Sequence, residues 1–390
     1  WNHVLLQWVA VAETAKSSGK ANRSSLIKLT TFAALATGLS MHQSAYAACV
    51  STAYDSATDS RTWVCSGAIP STYLWSDGAV YAGSGHGITP SSNNNVSITL
   101  ESGSSSNVTG NTLDGFSDLN PYTGGTYIQN LEIINRGSVI VNPAGGFNSG
   151  SQMNSGTIQK QTYHNYGLFQ GHEAGVNPNG PLGMTFHNYA GATVIGGLGM
   201  DISSQATTLL TNAGTITGQW MNNPNPAQQV GPVGSWYTNP DRKPDHTIAV
   251  SMAGNNVLFN QQDGSINGDV AISASTSTLN VSGGVINGDI LFRYMRSAAE
   301  NESGVGTLNL TNGQIKGDVR MYASNDVFNI TGGSISGNTY LGDGNDTFSI
   351  SNGTVTGNLN AGAGNDTATA SGGALVGNTL MGNGDDVATL

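Results

Sequence analysis

Four aspartates near the C-terminal end of the sequence recur at a fixed interval, and this spacing could serve chemistry. They are Asp326, Asp346, Asp366 and Asp386, whose positions differ by 20 at each step. If successive segments of this length stack, the carboxylates form a column about 5 Å apart and repel one another by about 1–3 kcal/mol. A bound cation would relieve this repulsion, and calcium is a hard ion that prefers oxygen ligands. Solvent and a splayed rotamer would relieve it too, so a simple ladder of polar turns is the alternative.

The turns around these aspartates carry glycines and further acidic residues. They read Gly342-Asp343-Gly344-Asn345-Asp346, Gly362-Ala363-Gly364-Asn365-Asp366 and Gly382-Asn383-Gly384-Asp385-Asp386. Each resembles half of a repeats-in-toxin calcium nonapeptide, in which carbonyls and an Asp from successive tight turns enclose Ca²⁺. That family's motif recurs with a nonapeptide period, whereas these turns recur at the wider step of the aspartates. The resemblance implies a calcium site with the ligands Asp326, Asp343, Asp346, Asp366, Asp385 and Asp386. No other cofactor is predicted.

Motifs of hydrolytic enzymes are absent from the sequence. It contains no Gly-Asp-Ser-Gly, no Gly-x-Ser-x-Gly and no His-Glu-x-x-His, the settings of activated serines and catalytic zinc. The isolated pair His172-Glu173 is better explained as part of a solvated loop. We therefore predict no catalytic residues and no enzyme activity. Since parallel β-helices also include glycan-cleaving enzymes, such an enzyme is the alternative, although a fold alone does not grant an activity.

A repeat that begins at Gly264 must position these turns. Its central glycines are Gly268, Gly288, Gly317, Gly337, Gly357 and Gly377, whose positions differ by 20, 29, 20, 20 and 20 in turn. A fixed period of this length is typical of stacked folds. Apolar and polar residues alternate with period two, as in Phe328-Asn329-Ile330, which predicts short strands. The one long step indicates a 9-residue insertion between Arg293 and Ser303.

Stacked strands of this kind predict an all-β fold, a parallel β-helix (solenoid) in which each repeat forms one turn. One coil cannot bury its apolar face, but equivalent residues of stacked coils lie about 4.8 Å apart. We therefore expect Ile286, Ile315, Ile335 and Val355 to form one buried line.

Charge and composition restrict the class of protein. Charged residues make up 9% of the chain, and the formal net charge is −11. Without residues 1–47 the chain has 9 basic and 23 acidic residues, a net charge of −14. Because nucleic-acid affinity depends on Lys and Arg against phosphate, nucleic acid is excluded as a partner.

The N-terminal segment has the features of an export signal, which we expect to be helical. Residues 26–39 are an apolar stretch that is too short to span a membrane. Basic residues flank it, and the small-x-small sequence Ala45-Tyr46-Ala47 predicts cleavage between Ala47 and Ala48.

An unusual extension precedes the apolar stretch. It reads Trp1-Asn2, then Trp8-Val9-Ala10-Val11, Glu13, Ala15-Lys16 and Gly19-Lys20. This pattern resembles the extended signal peptide region of Gram-negative type V secretion proteins, the autotransporters and their two-partner relatives. The resemblance implies export through the periplasm to the cell surface or the extracellular space, with an outer-membrane β-barrel as partner. It also implies a right-handed β-helix. The family segment begins several residues earlier with Met, and the family's barrel is missing, so we expect a sequence shortened at both ends.

Between the signal and the regular repeat, two further regions are predicted. Residues 48–77 would form an N-terminal cap, stapled by a disulfide between Cys49 and Cys65 because an exported chain meets oxidising conditions. Residues 78–262 would form irregular coils, since Asn-x-Gly-x-apolar copies recur there. These copies begin at Asn135, Asn154, Asn165 and Asn212, with a stretched copy at Asn188. Residues 1–47 are the signal and residues 263–390 the regular coils.

Three segments interrupt the coils, residues 171–183, 221–246 and 292–303, and the last two are candidate binding loops. Residues 221–246 contain five prolines, which cannot donate to a sheet and so indicate a surface excursion. Exposed aromatic and basic residues on loops favour binding, and the candidates are Trp236, Tyr237, Arg293, Tyr294 and Arg296. The alternative is that both segments are insertions that pack on the flank of the helix.

Together these patterns predict a passenger region of a type V secreted protein, acting in adhesion, self-association or biofilm formation. Its partners would be host-cell or neighbouring-cell surface molecules, or other copies of itself. A glycan-cleaving enzyme and a calcium-binding structural solenoid are the alternatives.

Overall fold

The computed structural model describes residues 49–51, 55, 60–70, 94–109, 128–142, 152–153, 158–171, 174–180, 182–219, 247–293 and 304–390. All of them belong to one compact unit, Tyr46–Leu390. These ranges contain strands and turns but no helix. The predicted signal segment, residues 1–47, and its cleavage site at Ala47 and Ala48 lie outside the described residues.

Ten strands make up the first part of the described chain. They are β1 Cys49–Ser51, β2 Ser60–Cys65, β3 Ala68–Pro70, β4 Asn94–Leu100, β5 Ser105–Thr109, β6 Ile128–Asn135, β7 Ser138–Asn142, β8 Gln152–Met153, β9 Ile158–Asn165 and β10 Leu168–Gln170. Strand β1 runs antiparallel to β2 with Cys49 opposite Cys65, while β2 pairs in parallel with β4. Strand β1 therefore covers the edge of β2 that faces away from the coils. Cys65 is buried and disulfide-bonded, and Cys49 is the only other cysteine of the chain.

The remaining strands continue the same sheet. They are β11 Ala174–Gly180, β12 Gly183–Asn188, β13 Thr193–Gly196, β14 Leu198–Ser204, β15 Thr207–Asn212, β16 Thr215–Gly218, β17 Ile248–Gln261, β18 Ser265–Asn267, β19 Asp269–Val281, β20 Val285–Asn287, β21 Ile290–Leu291, β22 Val305–Leu310, β23 Gln314–Ile315 and β24 Val319–Arg320. The last coils contain β25 Val327–Ile335, β26 Thr339–Asp343, β27 Thr347–Val355, β28 Leu359–Ala363, β29 Thr367–Ala370, β30 Ala374–Leu375, β31 Thr379–Leu380 and β32 Val387–Thr389. Apart from β1 with β2, the strand pairs of the described chain are parallel, which is consistent with a β-solenoid.

The predicted stacking register is confirmed by the strand pairing. Ile286 pairs with Ile315, Ile315 with Ile335, and Ile335 with Val355. All four side chains are 0% exposed, so they form the expected buried line. Because Leu291 pairs with Arg320 and Thr276 with Val305, the insertion falls between Leu291 and Val305.

Further columns of apolar side chains fill the interior. Residues alternate between buried and half-exposed along the strands, as in β22 and β25, because successive side chains of a strand point to opposite faces. One column comprises Phe259, Leu279, Leu308, Phe328 and Phe348, and another comprises Met252, Ile272, Phe292, Met321, Leu341 and Ala361. Full burial of each large side chain contributes about 1.5–3 kcal/mol, so every added coil lengthens the core.

The asparagines of the irregular coils stack with steps of 30, 23 and 24 residues. Asn135 pairs directly with Asn165, Asn165 with Asn188, and Asn188 with Asn212. Asn154 lies outside the described residues. The stacking register is decided by which strands pair.

Candidate functional site

The predicted binding-loop residues lie mostly outside the described chain. Trp236, Tyr237, Tyr294 and Arg296 are not among the described residues. Arg293 is only 5% exposed, unlike the exposed loop residue that the sequence predicted. Its guanidinium carbon lies 5.3 Å from the ring centre of Tyr322. The arginine therefore packs on the flank of the coils, which is the alternative that the sequence analysis left open.

Three of the predicted calcium ligands, Asp326, Asp346 and Asp366, form a buried column and are each 1% exposed. Oδ1 of each accepts a backbone N–H from the preceding coil: Gly306 donates to Asp326 at 2.6 Å, Asp326 to Asp346 at 2.8 Å and Asp346 to Asp366 at 2.9 Å. Their Oδ2 atoms have no hydrogen-bond partner in the described chain. The backbone N–H of Asp366 in turn donates to Asp386 at 3.0 Å. Each carboxyl group thus clamps one coil to the next and leaves one oxygen buried.

Burial raises the pKa of the aspartates in this column. It raises the pKa of Asp326 to about 8, opposed by the Gly306 N–H and supported by the charge of Asp346. Burial also raises the pKa of Asp346 to about 6, supported by Asp366 and Asp343. The pKa of Asp366 is raised for the same reasons, with Asp386 as the neighbouring charge. Burial and the neighbouring carboxylates therefore shift each of these three aspartates toward its protonated form.

The six predicted calcium ligands do not converge on one point. Asp343 is exposed at the end of β26 and Asp385 on a turn, whereas the other four belong to the column. Among the described residues, no group of three or more His, Cys, Asp or Glu side chains is arranged to hold a metal ion. Calcium takes six to eight oxygen ligands, and one oxygen of each column aspartate is already bonded to backbone. These side chains do not fit a calcium cage, and the calcium site stays a prediction.

A second ladder explains the Asp or Asn that follows each central glycine. Asp289 N–H donates to Asp269 Oδ1 at 2.7 Å, Asp318 N–H to Asp289 Oδ1 at 2.8 Å and Asn338 N–H to Asp318 Oδ1 at 2.8 Å. The acceptor here lies one coil earlier, the reverse of the buried aspartate column. An amide serves this purpose as well as a carboxylate, which is why Asn replaces Asp after Asp318.

Inside the irregular coils, buried amides form an inner Asn ladder of Asn135, Asn165, Asn188 and Asn212, each 0–1% exposed. Each Nδ2 donates to the side-chain oxygen of the next coil at 2.7–2.9 Å, and Asn212 donates to Gln261 at 2.8 Å. Asn165 and Asn188 also donate to the carbonyls of Thr193 and Thr215. The Asn of the repeated motif is therefore structural.

Replacing Asn188 with alanine is expected to cost about 2–3 kcal/mol, because Asn165, Asn212 and Thr215 would each lose a buried partner. Chemical denaturation, compared at constant m-value, measures the loss. The matched control is Asn280→Ala in the half-exposed outer ladder, where Asn280 donates to Asn260 at 2.9 Å. Water replaces that partner, so the control should cost less than about 1 kcal/mol. Equal costs would contradict the buried position of Asn188.

A cluster of polar and aromatic side chains that the sequence analysis missed lies on strands β6, β9 and β12 and their turns. We call it the His–Tyr cluster, comprising Glu132, His164, His187, Tyr166 and Tyr189. His164 Nε2 lies 3.5 Å from Glu132 Oε1, and His164 Nδ1 lies 2.9 Å from the Tyr189 hydroxyl. The Tyr166 and Tyr189 rings stack with centroids 4.1 Å apart and planes 2° apart. A chain of polar contacts thus crosses three coils.

Neighbouring side chains contact the His–Tyr cluster, and the pKa values of two of its groups are shifted. Ser97 Oγ donates to Glu132 at 2.9 Å, and the guanidinium carbon of Arg136 lies 5.6 Å from the Tyr166 ring centre. Burial, then the hydrogen bond and charge of Tyr166, raise the pKa of Tyr189 to about 12. Burial, then the charge of His164, lower the pKa of His187. The sequence signal was a shared aromatic-His-Asn-Tyr pattern, at residues 163–166 and 186–189.

Comparison with known proteins identifies the N-terminal segment. Residues 1–41 match the family model described as Extended Signal Peptide of Type V secretion system, which confirms the resemblance found in the sequence. No curated protein and no solved structure matches the chain. In the described ranges, no helix has the length and apolar character needed to cross a bilayer. The matched signal supports export through the periplasm, followed by secretion or surface display.

Proposed function

We propose that this chain is passenger sequence of a type V secreted protein, most simply an autotransporter, acting in adhesion, self-association or biofilm formation. The order of elements carries the proposal: the type V signal at residues 1–41 is followed by parallel coils in the described parts of residues 60–390. The partners would be surface molecules of host or neighbouring cells, or other copies of the chain. We also propose a right-handed coil, as crossovers between parallel strands nearly always are.

The outer faces of the coils support a binding role. Asn280 donates to Asn260 at 2.9 Å, Asn309 to Asn280 at 2.9 Å and Asn329 to Asn309 at 3.0 Å, and this outer ladder is half-exposed. Each amide offers a partner only a weak contact, but a row of equivalent groups on a rigid scaffold adds such contacts by multivalency. Coils that form one after another outside the cell would also prevent the exported chain from sliding back into the cell.

A non-enzymatic role is part of the proposal. Glycan hydrolysis uses two carboxyl groups on either side of the bond, about 5–9.5 Å apart. The carboxyl groups that stack in the described coils belong to the buried column, Asp326, Asp346 and Asp366, and to the second ladder, Asp269, Asp289 and Asp318. Five of these six residues are at most 5% exposed, which keeps a polymer away from them. Incubation of the purified chain with a glycan panel tests this, and new reducing ends or unsaturated products would contradict it.

Surface display is tested with an epitope tag at the exposed turn of Ser102 and Gly103, in cells that supply the outer-membrane barrel. We expect antibody to reach the tag on intact cells and expect cells with the chain to aggregate or adhere more. Removal of residues 1–47 should abolish surface labelling while leaving the tag detectable in lysed cells. A tag that stays inside the cell with the signal intact would refute export, and display without any gain in adhesion would refute the binding role.

A further inference from the structure

We propose that Tyr166 and Tyr189 are a site of oxidative cross-linking, at which a haem peroxidase with hydrogen peroxide joins the two phenol rings by a carbon–carbon bond. The bond would staple two neighbouring coils at the surface. This inference does not depend on the proposed function, because the reaction is tested on the purified chain.

The two tyrosines occupy equivalent positions in adjacent coils. Each directly follows an Asn of the inner Asn ladder, and the backbone N–H of Tyr189 donates to the Asn165 carbonyl at 2.9 Å. Their rings are parallel within 2° at a centroid distance of 4.1 Å, so carbons of the two rings are in van der Waals contact. Because the sheet holds both residues in register, the rings meet without a search through solution, and such pre-orientation strongly favours coupling.

The contacts of Tyr189 provide a route for its proton. A phenol that loses an electron becomes strongly acidic, and the Tyr189 hydroxyl already lies 2.9 Å from His164 Nδ1. The imidazolium that forms would be stabilised by Glu132, whose Oε1 lies 3.5 Å from His164 Nε2. This arrangement of acid, histidine and hydroxyl is the one by which a carboxylate supports a histidine base. His164 is thus a positioning residue and proton acceptor for the coupling.

Tyr166 is open to the oxidant. Its side chain is 45% exposed, so an oxidant reaches the ring and its proton passes to water. By contrast, Tyr163 is fully buried and stacks on Phe186 with centroids 5.5 Å apart. Tyr340 lies beneath Arg320, whose guanidinium carbon is 4.1 Å from its ring centre. Neither contact offers a second phenol for coupling.

The reaction balances with peroxide as the oxidant. Each phenol gives up one electron and one proton, and the two phenoxyl radicals couple at carbons ortho to the oxygen. The hydrogens on those carbons then move to the oxygens and restore two phenols. Hydrogen peroxide accepts the two electrons and two protons and becomes two molecules of water. The chain ends two hydrogens lighter, with one new carbon–carbon bond.

The test treats the purified full chain with peroxidase and peroxide in native buffer. We expect dityrosine fluorescence, a mass lower by two hydrogens with no dimer, and a cross-linked peptide pair that contains Tyr166 and Tyr189. Tyr166→Phe and Tyr189→Phe should each lower the fluorescent yield at least about tenfold, while the control Tyr340→Phe keeps it. A yield in Tyr189→Phe equal to that of the original chain would overturn the proposal, as would products that join two chains.

Two further measurements separate the site from simple exposure of tyrosine. In concentrated urea the selectivity for this pair should disappear, because the coils no longer align the rings; the same pair cross-linked in urea would overturn the role of the fold. His164→Gln should lower the initial rate about tenfold or more and reduce the solvent deuterium isotope effect on that rate, because the proton acceptor is removed. An unchanged rate and isotope effect in His164→Gln would overturn the proton route.

Discussion

Replacing Gly362 with alanine is expected to destabilise the coils around it by about 4 kcal/mol or more. Gly362 has a φ of 106°, in the region that favours glycine. A Cβ atom there would also overlap the carbonyl oxygen of Gly342 in the preceding coil. Because β26 and β28 are paired at Gly342 and Gly362, neither backbone can move away without breaking the ladder. Chemical denaturation of the purified chain measures the loss.

Two other glycines separate the two causes of that loss of stability, the positive φ and the overlap of the Cβ atom. Gly103 has a φ of 79°, but a Cβ atom there meets nothing within 4 Å, so Gly103→Ala should cost only about 1–2 kcal/mol. Gly357 shows no positive φ, but its Cβ atom would overlap the Gly337 carbonyl oxygen, so Gly357→Ala isolates the steric part. If Gly362→Ala costs no more than Gly103→Ala, the close approach of successive coils is refuted.

In the first coil that contains this turn, two residues with side chains occupy the positions that glycine takes in the following coils. Tyr322 and Ser324 have φ values of 73° and 102°, at the positions that Gly342 and Gly344 occupy one coil later. The coil before Tyr322 has Arg293 at the equivalent position, where the insertion begins, and Arg293 packs against the Tyr322 ring. A side chain is therefore accommodated at the start of the column, at a conformational cost of about 1–3 kcal/mol.

The stability of residues 304–390 is expected to fall by a few kcal/mol as the pH rises from about 4 to about 8. The folded-state pKa is about 8 for Asp326 and about 6 for Asp346, and that of Asp366 is also raised, against an ordinary value of 3.8. The folded chain thus binds protons more tightly than the unfolded chain. This stabilisation is complete below about pH 4 and is lost as the pH rises through the folded-state pKa values. The charged groups that raise these values are carboxylates, with Asp343 and Asp386 at the margin.

Asp346→Asn tests this account, because an amide keeps the oxygen that accepts the Asp326 N–H and removes the charge. Melting temperatures at about pH 4.5 and about pH 8 should differ less in Asp346→Asn than in the original chain. The matched control, Asp385→Asn on an exposed turn, should change the difference little, because the charge of Asp385 is not among those that raise the pKa values of the column. A calcium site would reverse the sign: stability would rise with pH and fall on addition of EDTA, since calcium binds ionised carboxylates. That outcome would refute proton binding by the column.

The sequence by itself determined the coil, its period and its register in the regular region. The constant step between repeats and the alternation around Phe328 and Ile330 left one way to bury the apolar residues, and pairing at Ile286, Ile315 and Ile335 follows it. The location of the insertion followed from the same arithmetic. The N-terminal signal was equally local, since its residues are read in order without reference to a fold.

Only the tertiary structure decided what the polar side chains do. Spacing placed Asp346 in a column, but not which neighbour its Oδ1 would bond, because that depends on the backbone direction of the coil before it. From the sequence spacing alone, Asn135, Asn154 and Asn165 were equal candidates for stacked positions, whereas strand pairing joins Asn135 directly to Asn165. Tyr166 and Tyr189 are well separated in the sequence, and only stacking brings their ring centroids to 4.1 Å. Whether an apolar residue is buried depends on the face of the strand on which it lies, and the sequence period reveals that face. Hydrogen bonds and ring contacts depend instead on the direction of the groups and on the distance between neighbouring coils.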